Sequence, residues 1–135
     1  MLTCNNLSSI FVLDQDEALT FYTDVLGLEV VDDVWFGPMR WLTVRVPDTD
    51  HAIVLEKPGM PAHDDATAEQ IRDLVTKGAG GGWLAFTTGD VKGAFAKMEQ
   101  AGVEFTQELT EQPYGTDFAI RDPFGNMIRI GQLAT

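Results

Sequence analysis

The chain has 135 residues, 44% of them hydrophobic, and a formal net charge of −12 at neutral pH. This length suits one compact domain with a hydrophobic core, and no apolar run is long enough to span a membrane. The excess of acidic residues opposes binding to nucleic acid or to an anionic membrane, because both would be repelled.

The first half of the chain predicts a strand, a helix and then three more strands. Alternating apolar residues indicate a half-buried strand over about 7–13. Asp14 is placed to cap the following helix, with Glu17 three residues later as in a capping box, and Gly27 closes that helix. Turn residues then separate three predicted strands, at about 28–36, 39–46 and 51–56.

A linker rich in Pro, Gly and Asp follows over about 57–65 and leads to a short helix, for which Thr67 and Gln70 resemble a capping box. The glycine-rich run 78–82 is either a plain connector or a hinge. The second half then repeats the order of the first. We predict a strand at 83–88, a helix at 90–101, and strands at about 103–108, 115–121 and 127–132.

The two halves also match residue by residue. Asp14 and Asp90 each precede a helix, and each helix ends at a glycine, Gly27 or Gly102. Two copies of one βαβββ unit predict an α+β fold with an internal pseudo-twofold axis. One domain, 1–135, would then contain module one (about 5–57), a linker with a short helix (about 58–81) and module two (about 82–133).

Two sequence motifs resemble the vicinal oxygen chelate superfamily, which includes glyoxalase I, extradiol dioxygenases, fosfomycin-modifying enzymes and bleomycin-resistance proteins. They are LDQDEALTFYTDVLGLEV over 13–30 and RDPFGNMIRI over 121–130. The resemblance extends over nearly the whole chain. It implies a curved mixed sheet around a central cup, and a homodimer.

Enzymes of that superfamily hold a metal ion in the cup from four positions, one on the first and one on the last strand of each module. The resemblance places those positions at Leu7, Glu56, Trp83 and Arg129. Only Glu56 can donate an oxygen, whereas a divalent site needs several donors. His51 and His63 are expected to be surface histidines. We therefore expect no metal and no other cofactor.

If the superfamily's ligand positions point into the cup, strand alternation assigns seven aromatic and charged residues to the binding of a ligand, and Tyr114 lies at the rim of the cup. The seven residues are Phe11, Trp41, Arg45, Glu56, Trp83, Asp117 and Arg129. Such a surface suits a planar organic ligand with polar groups. Two other interpretations remain open: the aromatic residues belong to the core, or Arg45 and Arg129 only pair with Glu56 and Asp117.

The favoured function is that of a binding protein of the bleomycin-resistance type, which sequesters an aromatic or bulky natural product without altering it. Its only partners would be this small-molecule ligand and a second copy of the chain, with Trp35 and Phe36 as candidate dimer contacts. Cys4 is the single cysteine, so no intrachain disulfide can form. No signal peptide is visible at the start of the sequence, and both observations agree with a cytoplasmic location.

The alternative function is enzymatic. A glyoxalase-like or dioxygenase-like reaction would need a divalent metal at a non-standard site. A metal-free isomerase or lyase would use Glu56 or Asp117 as general base and Tyr114 as general acid, with Arg45 or Arg129 stabilising an oxyanion. That mechanism requires a carboxyl group with a raised pKa.

Overall fold

The computed structural model describes all of residues 1–135 and contains two four-stranded mixed sheets and three helices. Module one consists of β1 (Leu7–Phe11), α1 (Gln15–Thr20), β2 (Glu29–Phe36), β3 (Met39–Arg45) and β4 (Ala52–Glu56). A π-helical turn, Phe21–Val25, continues α1. After α2 (Asp65–Thr76), module two consists of β5 (Leu84–Thr87), α3 (Val91–Ala101), β6 (Glu104–Gln112), β7 (Gly115–Arg121) and β8 (Met127–Leu133).

The two sheets have the same topology. Their strand orders are β1-β4-β3-β2 and β5-β8-β7-β6, with one parallel pair in each, β1 with β4 and β5 with β8. The repetition extends to side chains at equivalent positions. Arg45 Nε lies 2.7 Å from a carboxylate oxygen of Glu29, and Arg121 Nε lies 3.0 Å from one of Glu104. The fold is therefore α+β, with two βαβββ modules related by a pseudo-twofold axis.

Carboxylates begin all three helices. Asp14 Oδ1 accepts a hydrogen bond from the backbone N–H of Glu17 at 2.9 Å, and Asp90 caps α3 in the same way. For α2 the predicted capping box is wrong: Asp64 is the N-cap and accepts from the N–H of Thr67 at 2.8 Å. The helix thus begins before Thr67, because the carboxylate of Asp64 already accepts one of the free N–H groups of the first turn.

The core lies on the helix-facing side of the two sheets. Leu42 and Val44 on β3 are completely buried, and the helix-facing residues of the neighbouring strands join them. These residues are Ile10, Ile53, Leu55, Phe118, Ile120, Ile128 and Ile130. Two predicted strand ends differ from the structure by more than one residue. β1 stops at Phe11, where the chain turns toward the cap of α1, and β6 continues to Gln112 through two register shifts.

Buried hydrogen bonds join the two modules through the turn that precedes β8. The phenol of Tyr22 donates to Asp122 Oδ2 at 2.8 Å, and Asn126 Nδ2 donates to the carbonyl oxygen of Phe11 at 2.7 Å. Asp122 Oδ1 also accepts the backbone N–H groups of Phe124, Gly125 and Asn126. None of the helices combines the length and the apolar character needed to cross a membrane.

Candidate functional site

The predicted ligand-binding residues divide between the inward faces of the two sheets, the faces that point away from the helices. The structure places Phe11, Trp41, Arg45 and Glu56 on module one. It places Trp83, Tyr114, Asp117 and Arg129 on module two, either within its strands or directly before them. The cavities on these faces are separate, so a single chain does not bring all eight residues to one site.

The largest of these cavities lies on module one and has a volume of about 400 Å³. Trp41, Val54 and Glu56 project into it from β3 and β4. The linker segment 57–62 forms the opposite wall and contributes Met60, which is 69% exposed. The sequence predicted this segment only as a connector. We call this space the module-one cavity.

The polar groups around the module-one cavity differ in whether they have partners. The half-buried Glu56 carboxylate takes part in no ion pair of the chain. Arg40, by contrast, is held by Asp33 at 2.8 Å and by Asp16 at 2.7 Å. The hydrogen bonds that Arg40 donates to Asp33 and then to Asp16 raise the pKa of Arg40, and the bond from Arg40 lowers the pKa of Asp33.

Phe11 and Arg45 lie on the inward face of module one but do not line its cavity. The ring of Phe11 meets His63 edge to face, with centroids 5.5 Å apart. His63 is half-buried, and its Nδ1 is buried without a hydrogen-bond partner, so the expectation of a solvated histidine is wrong. Arg45 pairs with Glu29 and not with Glu56. It is therefore part of the repeated ion pair that joins the second and third strands of each module.

On module two, a buried carboxylate organises the polar residues. Asp117 is completely buried, and its Oδ2 accepts hydrogen bonds from Tyr114 Oη and Arg129 Nη1, both at 2.7 Å. Its Oδ1 accepts from Gln107 Nε2 at 2.7 Å and from Gln112 Nε2 at 3.3 Å. Four side-chain donors thus satisfy one carboxylate, and we call this arrangement the Asp117 network.

The Asp117 network fixes the protonation state of its members. Burial alone would raise the pKa of Asp117, but the hydrogen bonds from Tyr114, Gln107, Arg129 and Gln112 together lower it to about 2. The bond to Asp117 raises the pKa of Tyr114. Asp117 is therefore ionised and Tyr114 is protonated at neutral pH. A carboxylate with so low a pKa is a weak proton acceptor, so the geometry does not favour Asp117 as a general base.

Arg129 connects the Asp117 network to the open surface. Its Nη1 donates to Asp117 and, at 3.1 Å, to Gln107 Oε1, while 41% of its side chain is exposed. Arg129 also lines a cavity of about 310 Å³ together with Trp83, whose indole is 67% exposed. This half of the inward face therefore presents an exposed aromatic ring beside a guanidinium whose position is fixed.

Glu56 and Arg129 do not occupy equivalent positions in the two modules. In the parallel strand pairs, Glu56 lies opposite Phe11, and Gly131 lies opposite Thr87. The residue equivalent to Glu56 is thus Gly131, two positions after Arg129. A Cβ added at Gly131 would lie 3.2 Å from the Cβ of Asp117, so this glycine leaves room for the Asp117 network.

Sequence reasoning missed several residues that shape these surfaces. Gln107 and Gln112 were not selected because a glutamine on an exposed strand carries no signal of its own. The glycine-rich, proline-rich composition of 57–62 concealed the cavity wall that contains Met60. Gln15 follows the helix cap directly, so only the structure reveals that its amide reaches the module-one cavity.

The residues at the expected metal positions do not fit a divalent ion. Of Leu7, Glu56, Trp83 and Arg129, only Glu56 supplies an oxygen, and a guanidinium repels a cation. The structure contains no group of three or more His, Cys, Asp or Glu side chains arranged to hold a metal ion. Divalent cations in proteins are bound by several converging N, O or S donors, which this chain does not assemble at its inward faces.

Comparisons with known proteins agree with this architecture. The sequence model of the Glyoxalase/Bleomycin resistance protein/Dioxygenase superfamily matches residues 4–130. The uncharacterized protein YurT of Bacillus subtilis (strain 168) is 34% identical over 128 residues, which cover 93% of this chain and 96% of YurT. The crystal structure of UcmS2 has 38% identity and a TM-score of 0.90, and the match covers 97% of this chain and 98% of UcmS2.

A further solved structure is TnmS3, an antibiotic binding protein from Streptomyces sp. CB03234. Its TM-score is 0.77 at 24% identity, and the match covers 98% of each chain. At this level of identity the likeness shows a common fold.

Proposed function

Because this chain belongs to the Glyoxalase/Bleomycin resistance protein/Dioxygenase superfamily, we propose that it is a cytoplasmic binding protein for a small molecule. The ligand is an aromatic or bulky natural product, which the protein sequesters without altering it and without a metal. The observation that carries the proposal is the inward surface itself. The half-buried Trp41 and the exposed Trp83 line cavities of about 400 and 310 Å³, and of the four metal positions only Glu56 holds a side chain that could bind a metal. Ligand pockets of this size class are typically apolar with a few fixed polar groups.

The fold supports a ligand of this kind. TnmS3 binds an antibiotic and has the same architecture. In this chain, Trp41 and Trp83 would supply flat apolar area, and the fixed guanidinium of Arg129 would orient the ligand by hydrogen bonding. Capture of a toxic natural product would protect the cell, so antibiotic resistance is the biological role that we propose.

We also propose that two chains complete the site. The inward faces of modules one and two hold separate cavities in one chain, whereas the face of module one could be covered by module two of a second copy. Large apolar side chains remain exposed outside the cavities, with Trp35 at 61% and Phe36 at 60% on the edge strand β2. Exposed apolar side chains clustered on an edge strand are typical of an interface.

The experiment is a fluorescence titration of the purified protein against a panel of planar aromatic antibiotics, followed by mass spectrometry of the recovered ligand. Quenching of tryptophan emission with micromolar or tighter affinity, and recovery of the ligand unchanged, is the expected result. Catalytic conversion of the ligand would instead favour the enzymatic alternative. Absence of binding by every member of the panel would contradict the proposal.

A further inference from the structure

We propose that the module-one cavity binds an organic ammonium group, with the carboxylate of Glu56 as its counter-ion. This inference rests on the proposed function and specifies the chemistry of the ligand. The sequence assigns Glu56 to the binding surface but does not indicate which group it contacts. The structure shows which donors, acceptors and apolar side chains surround this carboxylate, and these limit the chemical groups of a ligand that it can contact.

Glu56 is held in place by its strand. It ends β4, which pairs with β1 in parallel so that Glu56 lies opposite Phe11, and its carbonyl oxygen accepts the N–H of Val12 at 2.9 Å. The backbone is therefore fixed, while the carboxylate takes part in no ion pair. A half-buried carboxylate without a cation beside it favours the binding of a positive group.

The amide of Gln15 presents a second acceptor to the same cavity. Its Nε2 donates to the carbonyl oxygens of Arg40, at 3.1 Å, and Leu55, at 2.9 Å. Only the nitrogen can donate to two carbonyl oxygens, so the orientation of the amide is settled and Oε1 has no partner in the chain. Gln15 thus adds a fixed acceptor rather than a donor.

The positive side chains that line the cavity do not neutralise Glu56. The guanidinium of Arg40 is bound to Asp33 and Asp16, which together carry more charge than it does. Lys57 follows β4, is exposed, and takes part in no ion pair of the chain. The cavity therefore offers acceptors and negative charge, which complement a group that is cationic and bears only donors.

The walls indicate an organic cation and not a metal ion. Trp41 provides an indole, the aromatic ring that attracts cations most strongly, and Met39 and Met60 provide polarizable thioethers. Three prolines complete the apolar lining, at positions 38, 58 and 61. An inorganic cation would need several more oxygen ligands than a single carboxylate and an amide. An ammonium group carried by an apolar skeleton satisfies both the acceptors and the walls.

The test compares three probes that share one ring system and differ in charge: 2-(aminomethyl)naphthalene, 2-naphthalenemethanol and 2-naphthoate. Their dissociation constants are measured by isothermal titration calorimetry at pH 7 on the full-length protein. We expect the protonated amine to bind at least about tenfold more tightly than the alcohol, which is the scale of one charge-assisted hydrogen bond. The naphthoate should bind more weakly than the alcohol.

Variants assign that preference to the cavity. Glu56→Gln should reduce the ratio of amine to alcohol affinity to about one, since the amide keeps the shape but not the charge. Glu99→Gln is the matched control, because Glu99 is exposed on α3 and lies outside the cavity lining. It removes the same net charge and should leave the ratio unchanged. Circular dichroism of both variants establishes that they are folded.

Several results would overturn the inference. Equal affinity for amine and alcohol, tighter binding of naphthoate, or a preference that survives Glu56→Gln would each contradict it. If Glu99→Gln lost the preference for the amine to the same extent, the preference would arise from the net charge of the whole protein and not from Glu56. If none of the three probes bound, this inference would be overturned but the proposed function would not. The proposed function is tested separately, by the binding of larger aromatic antibiotics.

Discussion

The phenol of Tyr22 donates a 2.8 Å hydrogen bond to Asp122, although the two residues are 100 positions apart in the chain. Tyr22 lies in the helix of module one, and Asp122 begins the turn that precedes the last strand of module two. Both residues belong to the motifs that carry the superfamily resemblance. Their contact gives these motifs a structural role, which is to hold the two modules together.

Removal of this contact should reduce stability without unfolding the protein. For Tyr22→Phe we expect the free energy of unfolding to fall by about 1–3 kcal/mol, because a buried hydrogen bond to a carboxylate is lost and the ring is kept. Urea unfolding followed by circular dichroism measures this change. Equal stability of Tyr22→Phe and wild type would contradict a structural role for the bond.

The Asp117 network predicts a specific loss of stability in acid. The pKa of Asp117 is about 2 in the folded protein, below its ordinary value of 3.8. The ionised carboxylate therefore stabilises the fold above about pH 4, and this contribution is lost as the pH falls toward about 2. We expect Asp117→Asn to cost about 2 kcal/mol at pH 7.

The pH dependence itself provides the check. The difference in unfolding free energy between wild type and Asp117→Asn should shrink as the pH is lowered from about 5 to about 2.5, since the wild-type carboxyl is then protonated on unfolding. A difference that stays constant over this range would show that Asp117 does not titrate between the two states.

The two indoles of the inward faces should each contribute to ligand affinity. For Trp41→Ala and Trp83→Ala we expect a loss of about 1–3 kcal/mol in binding of any aromatic antibiotic found by the fluorescence screen. Calorimetry is the appropriate measurement, because these substitutions also remove the fluorophores. Full affinity in both inward variants would exclude these walls as the site.

A metal-free site predicts that divalent ions have no specific effect. We expect elemental analysis of the purified protein to find well below one ion per chain, and added Zn, Mn, Ni, Co or Fe to leave the melting temperature unchanged. Binding of an ion to the folded state alone would raise that temperature by mass action. One tightly held ion per chain would reverse the assignment and favour the enzymatic alternative.

If two chains pair through the edge strand β2 of module one, the molecular mass in solution should depend on Trp35 and Phe36. Sedimentation equilibrium should give a dimer for the wild type, whereas Trp35→Ser combined with Phe36→Ser should shift the population toward monomer. Both side chains are more than half exposed in the single chain, so their replacement should cost little intrinsic stability. A wild type that stays monomeric at about 100 µM would contradict the dimer, since an obligate interface is stable well below that concentration.

The sequence alone determined the repeated architecture. Alternating apolar residues predicted the first strand, and Asp14 and Asp90 marked the beginnings of two helices. These features are local, since they depend on strand period and on the bonding of a cap residue to its own first turn. The helix cap of α2 was predicted wrongly, and the reason is also local. Asp64 and Thr67 are both residues that can cap a helix, and Asp64, which comes first, is the N-cap.

Only the tertiary structure decided which polar groups have partners. Strand alternation placed Arg45, Glu56, Asp117 and Arg129 on the inward faces, but it left open whether the arginines pair with Glu56 and Asp117. The structure joins Arg129 to Asp117 and gives Arg45 to Glu29, which leaves Glu56 as the carboxylate of the cavity. Pairing depends on register and on residues distant in the chain, such as Gln107 and Gln15. Periodicity contains no information about these contacts, because it fixes a side chain's face but not its neighbour across the sheet.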